Sequence, residues 1–311
     1  MAPAARASDH VLTATAREGR VVVRAVDVFH IASEIQRRHG TWPVVTAALG
    51  RLCAIAGAMS TTLKDPAFQI TLQVMGNGPA GRLIVVTSGD GSIRGFADEP
   101  RVDLPANALG KLDVRGAVGT EGSLAVVKDL GLKEPYRGVV PLVSGEIGED
   151  FAYYFAVSEQ TPSAVSVGVL VDTDGSVLSA GGLLVQTLPW ADEMDALATE
   201  RALADLAPVS ALLHAGASTE DLIRGVFPDG VRILERTPLY FQCTCSKERL
   251  GRILLSLGPA ELDDMRREQG GAELVCHFCG NRYWFDDGEL ELLSGAARLR
   301  PPGRRDGGER I

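Results

Sequence analysis

The spacing of apolar and polar residues predicts an α+β core domain in residues 1–190. GRVVVRAVDV is rich in valine and strand-like, and residues 29–64 carry two helical patterns separated by Gly40 and Pro43. Short β patterns follow, separated by Gly, Asn or Asp: FQITLQVM, GRLIVVTS, SIRGFADE, SLAVVKDL, YRGVVPLV, DFAYYFAVS, AVSVGVLV and VLSAGGLLVQTL. This order of elements predicts helices on a large, mostly antiparallel sheet.

The pattern becomes helical after residue 190. ADEMDALATERALADL and VSALLHAG have helical spacing, and Ser218 to Asp221 has the S-x-x-D form of a helix start. We therefore predict a helical linker at 191–236, followed by a small C-terminal domain at 237–293. The tail at 294–311 is rich in Gly, Pro and Arg, and we predict that it is disordered.

Composition and charge narrow the function classes. The 311 residues carry a formal net charge of −9, which argues against a general affinity for nucleic acid or anionic membranes. We identify no apolar run near the roughly 18 residues that a membrane helix needs, and no signal-peptide pattern at the N-terminus. We therefore expect a cytoplasmic protein. In a reducing compartment, cysteines are more often metal ligands or redox-active groups than structural disulfides.

Two motifs that resemble active-site patterns have simpler interpretations. GNGPAG fits G-x-G-x-x-G, but the strand-like RLIVVT follows it instead of the helix that a dinucleotide site needs, so we interpret it as a hairpin turn. Ser158 follows an aromatic segment that we interpret as a strand. It lacks the G-x-S-x-G elbow of a nucleophile, and no histidine is placed by the sequence to act as its base. We predict no catalytic residue and no enzymatic activity.

Four of the five cysteines form a C-x-C and a C-x-x-C near the C-terminus: Cys243, Cys245, Cys276 and Cys279. Four thiolates supply the closed tetrahedral shell that zinc prefers in structural sites, so we predict one Zn²⁺ per chain. His277 lies inside the second pair, where the four sulfurs already complete the shell. Cys53 lies in an apolar helical pattern and is expected to be a buried structural residue.

The segment between the pairs has the pattern of a mini-domain. Ser246 is a candidate helix cap, and a short helix is predicted at PAELDDMRRE, with Leu262 and Met265 on one face. Four apolar residues after Ser246 follow helical spacing and are expected to pack beside the metal: Leu250, Ile253, Leu254 and Leu257.

The cysteine spacing also points to redox chemistry. Cysteines two or three positions apart can form a disulfide with little backbone movement, and metal-bound thiolates are already in the nucleophilic form. A structural zinc contributes roughly 10–16 kcal/mol to folding. A disulfide that closes such a short ring contributes only about 2 kcal/mol. An oxidised domain is therefore expected to unfold, which would make the site a switch.

With these motifs, the chain resembles the heat shock protein 33 family of redox-regulated holdase chaperones. Its four cysteines correspond to that family's zinc switch, and further stretches match its core: YRGVVPLVSGEIGEDFAYYFAVSEQTPSA, AGGLLVQTLP and TALGRLCAIAGAMS. The resemblance runs from about Gly19 to Leu293. The departures are His277 and the arginine-rich tail, to which we assign no role.

The resemblance implies a mechanism and partners. It implies a core domain that binds clients and dimerises, a reduced zinc-bound state that is inactive, and oxidation to the disulfides Cys243–Cys245 and Cys276–Cys279. Zinc release would unfold the C-terminal domain and the linker, and the protein, often as a homodimer, would then hold unfolding client proteins without ATP.

Two other functions are alternatives. A zinc ribbon could bind nucleic acid, but residues 241–293 carry six Lys/Arg against ten Asp/Glu, and this net charge of −4 disfavours phosphate contacts. A C-x-x-C could also serve a thiol–disulfide oxidoreductase, although that chemistry usually lies at a helix N-terminus in a thioredoxin-like unit and needs no second pair.

Overall fold

The computed structural model describes residues 7–299. They form two compact units, one that ends at Gln242 and one that begins at Cys243. Helices and antiparallel sheets occur in both units, which confirms the predicted α+β class. The predicted start of the C-terminal domain at residue 237 lies six residues before the second unit.

The strands of the first unit form two sheets instead of one. The first has the order β10-β1-β2-β9-β8 and is antiparallel throughout. Its strands are β1 (His10–Ala16), β2 (Val21–Asp27), β8 (Ser163–Val171), β9 (Val177–Thr187) and β10 (Arg232–Pro238). The sequence patterns predicted β2, β8 and β9 but neither β1 nor β10.

The second sheet has the order β11-β5-β4-β3-β6-β7 and is antiparallel except where β11 joins β5. Its strands are β3 (Gln69–Gly76), β4 (Arg82–Ser88), β5 (Ser92–Ala97), β6 (Gly122–Asp129), β7 (Tyr136–Pro141) and β11 (Tyr240–Phe241). The short helix α3 (Val114–Val118) precedes β6. The GNGPAG stretch turns between β3 and β4, as predicted for a hairpin. Its Gly76 lies so close to α3 that a Cβ atom would be 2.0 Å from the Val118 carbonyl oxygen.

One helix forms the centre of the first unit. After α1 (Phe29–His39), α2 (Pro43–Ser60) contacts strands of both sheets, and every residue of α2 except Pro43 and Arg51 is buried. By length and composition this helix could cross a membrane, so the expectation that no apolar run approaches 18 residues is wrong. Its burial in the apolar core explains its composition, because a helix surrounded by sheets is apolar on all sides.

The segment DFAYYFAVS is a helix and not the predicted strand. It lies in α4 (Gly148–Val157), whose start is fixed by the buried carboxylate of Asp150. This carboxylate accepts hydrogen bonds from the backbone N–H groups of Val143 at 2.8 Å, Ser144 at 2.9 Å and Ile147 at 2.9 Å. Three of the four aromatic residues of α4 then fall at i, i+3 and i+4 and are buried in the core: Phe151, Tyr154 and Phe155.

Three helices occupy most of the predicted linker. They are α5 (Glu193–Ala204), α6 (Val209–His214) and α7 (Thr219–Val226), and Ser218 caps α7 through a reciprocal pair of hydrogen bonds with Asp221, as predicted. Their apolar residues pack on one face of the five-stranded sheet, in a cluster that includes Leu213, Leu222, Ile223, Val23 and Val185. The predicted helical linker at 191–236 is wrong at its C-terminal end, where residues 232–236 belong to β10.

The second unit alternates helices with one hairpin. Its elements are α8 (Lys247–Leu255), α9 (Pro259–Gln269), β12 (Gly271–Val275), β13 (Arg282–Asp286) and α10 (Asp287–Leu299). Both predicted helices, α8 and α9, are present. Because α10 continues to Leu299, the first six residues of the predicted disordered tail are helical. The rest of that tail, residues 300–311, lies outside the described residues.

Candidate metal centre

Two local structures present the four cysteines. Cys243 and Cys245 lie just before α8, whose N-terminus is capped by Ser246: its hydroxyl accepts a hydrogen bond from the Arg249 N–H at 3.2 Å, as predicted. Cys276 and Cys279 lie in the turn between β12 and β13.

This second turn is closed by backbone hydrogen bonds. The Gly280 N–H donates to the Cys276 carbonyl at 2.8 Å, and the Cys276 N–H donates to the Asn281 carbonyl at 2.9 Å. Gly280 has φ of +71°, a conformation that glycine adopts without strain. The turn therefore brings both thiols to one side of the hairpin.

The four thiols converge on one point. The Sγ atoms of Cys243 and Cys276 are 3.7 Å apart, those of Cys245 and Cys279 are 3.2 Å apart, and all four lie within 4.8 Å of one another. Sulfurs around a tetrahedral zinc are about 3.8 Å apart when each Zn–S bond is about 2.3 Å. The donor set and the spacing therefore fit a tetrahedral metal ion, and the soft thiolate ligands favour zinc.

Backbone N–H groups point at the sulfurs and favour their anionic form. Cys276 accepts from the N–H groups of Phe278 and Cys279, and Cys279 accepts from that of Asn281. In the first pair, the Cys245 N–H donates to Cys243. Such hydrogen bonds stabilise thiolates, which are the form that binds metal.

The thiols share protons across the two pairs. The hydrogen bond between the Cys243 and Cys276 sulfurs lowers the pKa of Cys276 to about 4 and raises the pKa of Cys243. Burial raises the pKa of Cys279 to about 11. A divalent cation would replace the shared protons, because it can neutralise several thiolates at once.

Tyr283 also contacts the cluster, although no motif in the sequence predicted this contact. Its hydroxyl lies 3.2 Å from Cys245 Sγ, and this hydrogen bond raises the pKa of Tyr283 to about 12. In this contact either the hydroxyl or a protonated Cys245 thiol can be the donor, whereas toward the Cys245 carbonyl oxygen, 3.3 Å away, the hydroxyl is the donor. The sequence NRYWF did contain a signal for the position of Tyr283. Side chains alternate along a strand, so Tyr283 must lie on the same face of β13 as the apolar Phe285, opposite Trp284.

The other candidate residues lie apart from the cluster. His277 is exposed and is not one of the four grouped ligands. Cys53 is fully buried in α2, where burial raises the pKa of its thiol and makes it a poor nucleophile. Ser158 follows the helix α4 and not a strand, and its hydroxyl oxygen lies 3.3 Å from that of Tyr136.

A small apolar core supports the metal centre. Its buried residues come from every element of the second unit: Leu250, Leu254, Leu262, Ala272, Phe285 and Leu290. Met265 packs against them, as predicted. Two of the four residues after Ser246 that were expected to pack beside the metal lie partly at the surface instead: Ile253 is 39% exposed and Leu257 is 42% exposed. The core is therefore narrower than the spacing of apolar residues indicated.

Comparison with known proteins shows the family of the chain. The family model described as "Hsp33 protein" matches residues 9–286, which is most of the chain. The chain belongs to the Hsp33 family. The 33 kDa chaperonin of Shouchella clausii is 47% identical over 286 residues, which cover 92% of this chain and 97% of that protein. The 33 kDa chaperonin of Enterococcus faecalis is 48% identical over 292 residues, which cover 93% and 98%.

A solved Hsp33 structure has the same fold. The crystal structure of the 33 kDa chaperonin from Thermotoga maritima, a heat shock protein 33 homolog, matches with a TM-score of 0.87 at 38% sequence identity. The match covers 93% of this chain and 99% of that chain. The protein is thus a chaperone of the Hsp33 type with a four-cysteine cluster that can hold a metal ion, which confirms the family resemblance in the sequence.

Proposed function

We propose that this protein is a cytoplasmic, redox-regulated holdase chaperone that is inactive when reduced and zinc-bound. Oxidation of the four cysteines releases zinc, unfolds the second unit and the linker helices, and allows binding of unfolding proteins. The supporting observation is that four thiols meet in a unit whose apolar core is small. A unit of this size depends on the metal for its stability.

In the reduced state, Cys243, Cys245, Cys276 and Cys279 would hold one Zn²⁺. The bound ion would keep the thiolates deprotonated and would tie the segment before α8 to the β12–β13 turn. This link joins residues 33 positions apart and fixes the elements around the small core. The reduced unit is folded because the four sulfurs remain available as ligands.

Hydrogen peroxide is the oxidant in the simplest form of the switch. A cysteine thiolate attacks one peroxide oxygen, the O–O bond breaks, and hydroxide leaves, which gives a sulfenic acid. The neighbouring thiolate then attacks this sulfur, forms the S–S bond and expels a second hydroxide. Each disulfide therefore consumes one peroxide, with two electrons passing from sulfur to oxygen. The proposed products are Cys243–Cys245 and Cys276–Cys279.

The free energies explain why oxidation unfolds the unit. Loss of a structural zinc removes roughly 10–16 kcal/mol, whereas each short-ring disulfide restores only about 2 kcal/mol. A disulfide between the pairs, such as Cys243–Cys276, would close a far longer ring and contribute about 4 kcal/mol. Such a bond would also keep the two segments together. Only disulfides within the C-x-C and within the C-x-x-C would leave the two segments free to separate, which is what the switch requires.

The surface for clients is proposed to lie under the linker helices. The exposed residues Met194 and Leu197 lie on α5, whereas Leu203 and Leu206 pack toward the five-stranded sheet. If α5, α6 and α7 detach, the apolar sheet residues beneath them become accessible: Ala14, Val21, Val23, Leu183 and Val185. An exposed apolar face of this kind binds unfolded chains without ATP and can also mediate homodimerisation.

The alternative functions have less support. The C-x-x-C of Cys276 and Cys279 lies in a hairpin turn, whereas the oxidoreductase chemistry uses a helix N-terminus. Turnover in an insulin-reduction assay would support that alternative. The net charge of −4 over residues 241–293 disfavours nucleic acid. A salt-dependent mobility shift with DNA or RNA would support a ribbon. We propose no catalytic activity, nucleic-acid partner or membrane partner.

Light scattering of a heat-unfolded client tests the proposal. Reduced protein should leave client aggregation unchanged, and peroxide-treated protein should suppress it equally with and without ATP. Protein that is re-reduced and supplied with zinc should lose the effect. Suppression by the reduced protein, or none after complete oxidation, would show that this redox switch does not control the chaperone.

A further inference from the structure

The side chain of Tyr283 contacts the first cysteine pair. Its hydroxyl oxygen lies 3.2 Å from Cys245 Sγ and 3.3 Å from the Cys245 carbonyl oxygen. A thiolate and a carbonyl oxygen can only accept hydrogen bonds. The hydroxyl of Tyr283 must therefore supply the hydrogen for a bond to either of them. When Cys245 is a thiolate, its charged sulfur is the stronger acceptor of the two, so Tyr283 donates to it.

The strand β13 fixes the position of this hydroxyl. Tyr283 pairs with Leu274 of β12, and its ring packs against the apolar core of the second unit. Phe285, on the same face of β13, is 4% exposed, so this face is anchored. The hydroxyl thus belongs to the segment after the second cysteine pair but binds a cysteine of the first.

We infer that Tyr283 is a positioning residue that slows the reaction of Cys245 with oxidants. This inference rests on the proposed function, in which Cys245 is oxidised. The hydrogen bond withdraws charge from the sulfur electron pair that attacks peroxide. As the S–O bond forms, the sulfur loses its negative charge and the hydrogen bond weakens. The contact therefore stabilises the resting thiolate more than the transition state.

The size of the effect follows from the strength of such bonds. Hydrogen bonds to charged groups are stronger than those between neutral groups, and thiolate reactivity follows thiolate basicity with a coefficient of about 0.4–0.5. We expect Tyr283→Phe to raise the reactivity of Cys245 by about 3- to 10-fold. Phenylalanine keeps the ring and its packing, so the substitution removes only the contacts of the hydroxyl, which are those with Cys245 and Asn281.

A competitive alkylation experiment on reduced, zinc-loaded, full-length protein measures this effect directly. Iodoacetamide is added below the thiol concentration; the thiolate forms a C–S bond and iodide leaves. Mass spectrometry of the peptides then gives the ratio of labelled Cys245 to labelled Cys276. A second sample receives peroxide, and zinc release is followed with a colorimetric chelator. Tyr240→Phe is the matched control, because its hydroxyl bonds to Asp90 in the first unit.

The expected result is a 3- to 10-fold higher Cys245 to Cys276 ratio in Tyr283→Phe, together with faster zinc release, and no change in Tyr240→Phe. A purely structural role would loosen the unit and raise labelling of all four cysteines together. That outcome, or an unchanged ratio, would overturn the inference. If oxidised protein binds no clients, the proposed function fails, but the labelling ratio still decides the role of Tyr283.

Discussion

The Sγ atoms of Cys243 and Cys276 lie 3.7 Å apart although 33 positions separate the two residues. The other short contact, between Cys245 and Cys279, also joins the two pairs. The folded unit therefore brings together sulfurs from separate segments, which is the arrangement that a metal ion requires. Disulfides between sequence neighbours would join different partners, so metal binding and oxidation favour different structures of the same four residues.

The first prediction concerns this choice of partners. We expect peroxide to link Cys243 with Cys245 and Cys276 with Cys279, and to leave Cys53 reduced because it is fully buried. Peptide mapping under non-reducing conditions identifies the bonds. The test is demanding, because the folded unit already places Cys243 next to Cys276, at 3.7 Å, and Cys245 next to Cys279, at 3.2 Å. Mostly Cys243–Cys276 and Cys245–Cys279 bonds would contradict the switch.

The second prediction is one tightly bound zinc per reduced chain. Each chain offers four thiol ligands within 4.8 Å of one another, which is a complete tetrahedral set. Metal analysis after purification under reducing conditions should give a ratio near one. The double variant Cys243→Ser and Cys276→Ser should lose the metal, whereas Cys53→Ser should retain it. Full zinc content in the double variant would show that the ion is bound elsewhere.

The third prediction uses two leucines close together in the chain. Leu254 is 2% exposed and Leu257 is 42% exposed. Leu254→Ala should destabilise the second unit by about 2–5 kcal/mol, because it leaves a cavity in a small core. Zinc release during heating should then begin at a lower temperature. Leu257→Ala should change the stability by less than about 0.5 kcal/mol. Equal effects of the two substitutions would mean that this core does not support the metal centre.

Much of the candidate site was predictable because its signals are local. The spacing of the cysteines, the cap at Ser246 and the helical periodicity of α8 and α9 each depend on residues close together in sequence. The contact of Tyr283 with Cys245 was missed, because it joins residues 38 positions apart and depends on how the hairpin packs against the C-x-C segment.

The missed elements of the fold have similar causes. The strands β1 and β10 pair with each other across more than 200 positions, and β10 is exposed on both faces, so it shows no apolar alternation. The helix α4 has the composition of a strand. Its start depends on the carboxylate of Asp150, which gathers the N–H groups of the preceding loop.

The fourth prediction concerns a shortened protein. The predicted domain start at residue 237 would place a truncation near Thr237. However, Leu239 is 4% exposed and β11 pairs with β5, so the better endpoint is Gln242. A Cβ atom at Gly57 would lie 2.7 Å from Leu239 Cδ1, which shows how closely this leucine packs on α2. We expect a chain that ends at Gln242 to suppress client aggregation under reducing conditions.

The comparison with a chain that ends at Thr237 serves as the control for folding. Loss of Leu239 should cost about 2–5 kcal/mol and lower the melting temperature of the first unit. If the chain ending at Gln242 is folded by circular dichroism but inactive while oxidised full-length protein is active, the unfolded second unit must itself bind clients.

The most direct test of the account is the zinc content and the helical circular dichroism of one reduced sample, measured before and after stoichiometric peroxide. The second unit contains α8, α9 and α10, so its unfolding should remove their helical signal. We predict that zinc leaves as the disulfides form, that helicity falls with the same time course, and that a reductant with zinc restores both. Retention of the full helical signal after complete zinc loss would contradict the claim that the metal holds this unit folded.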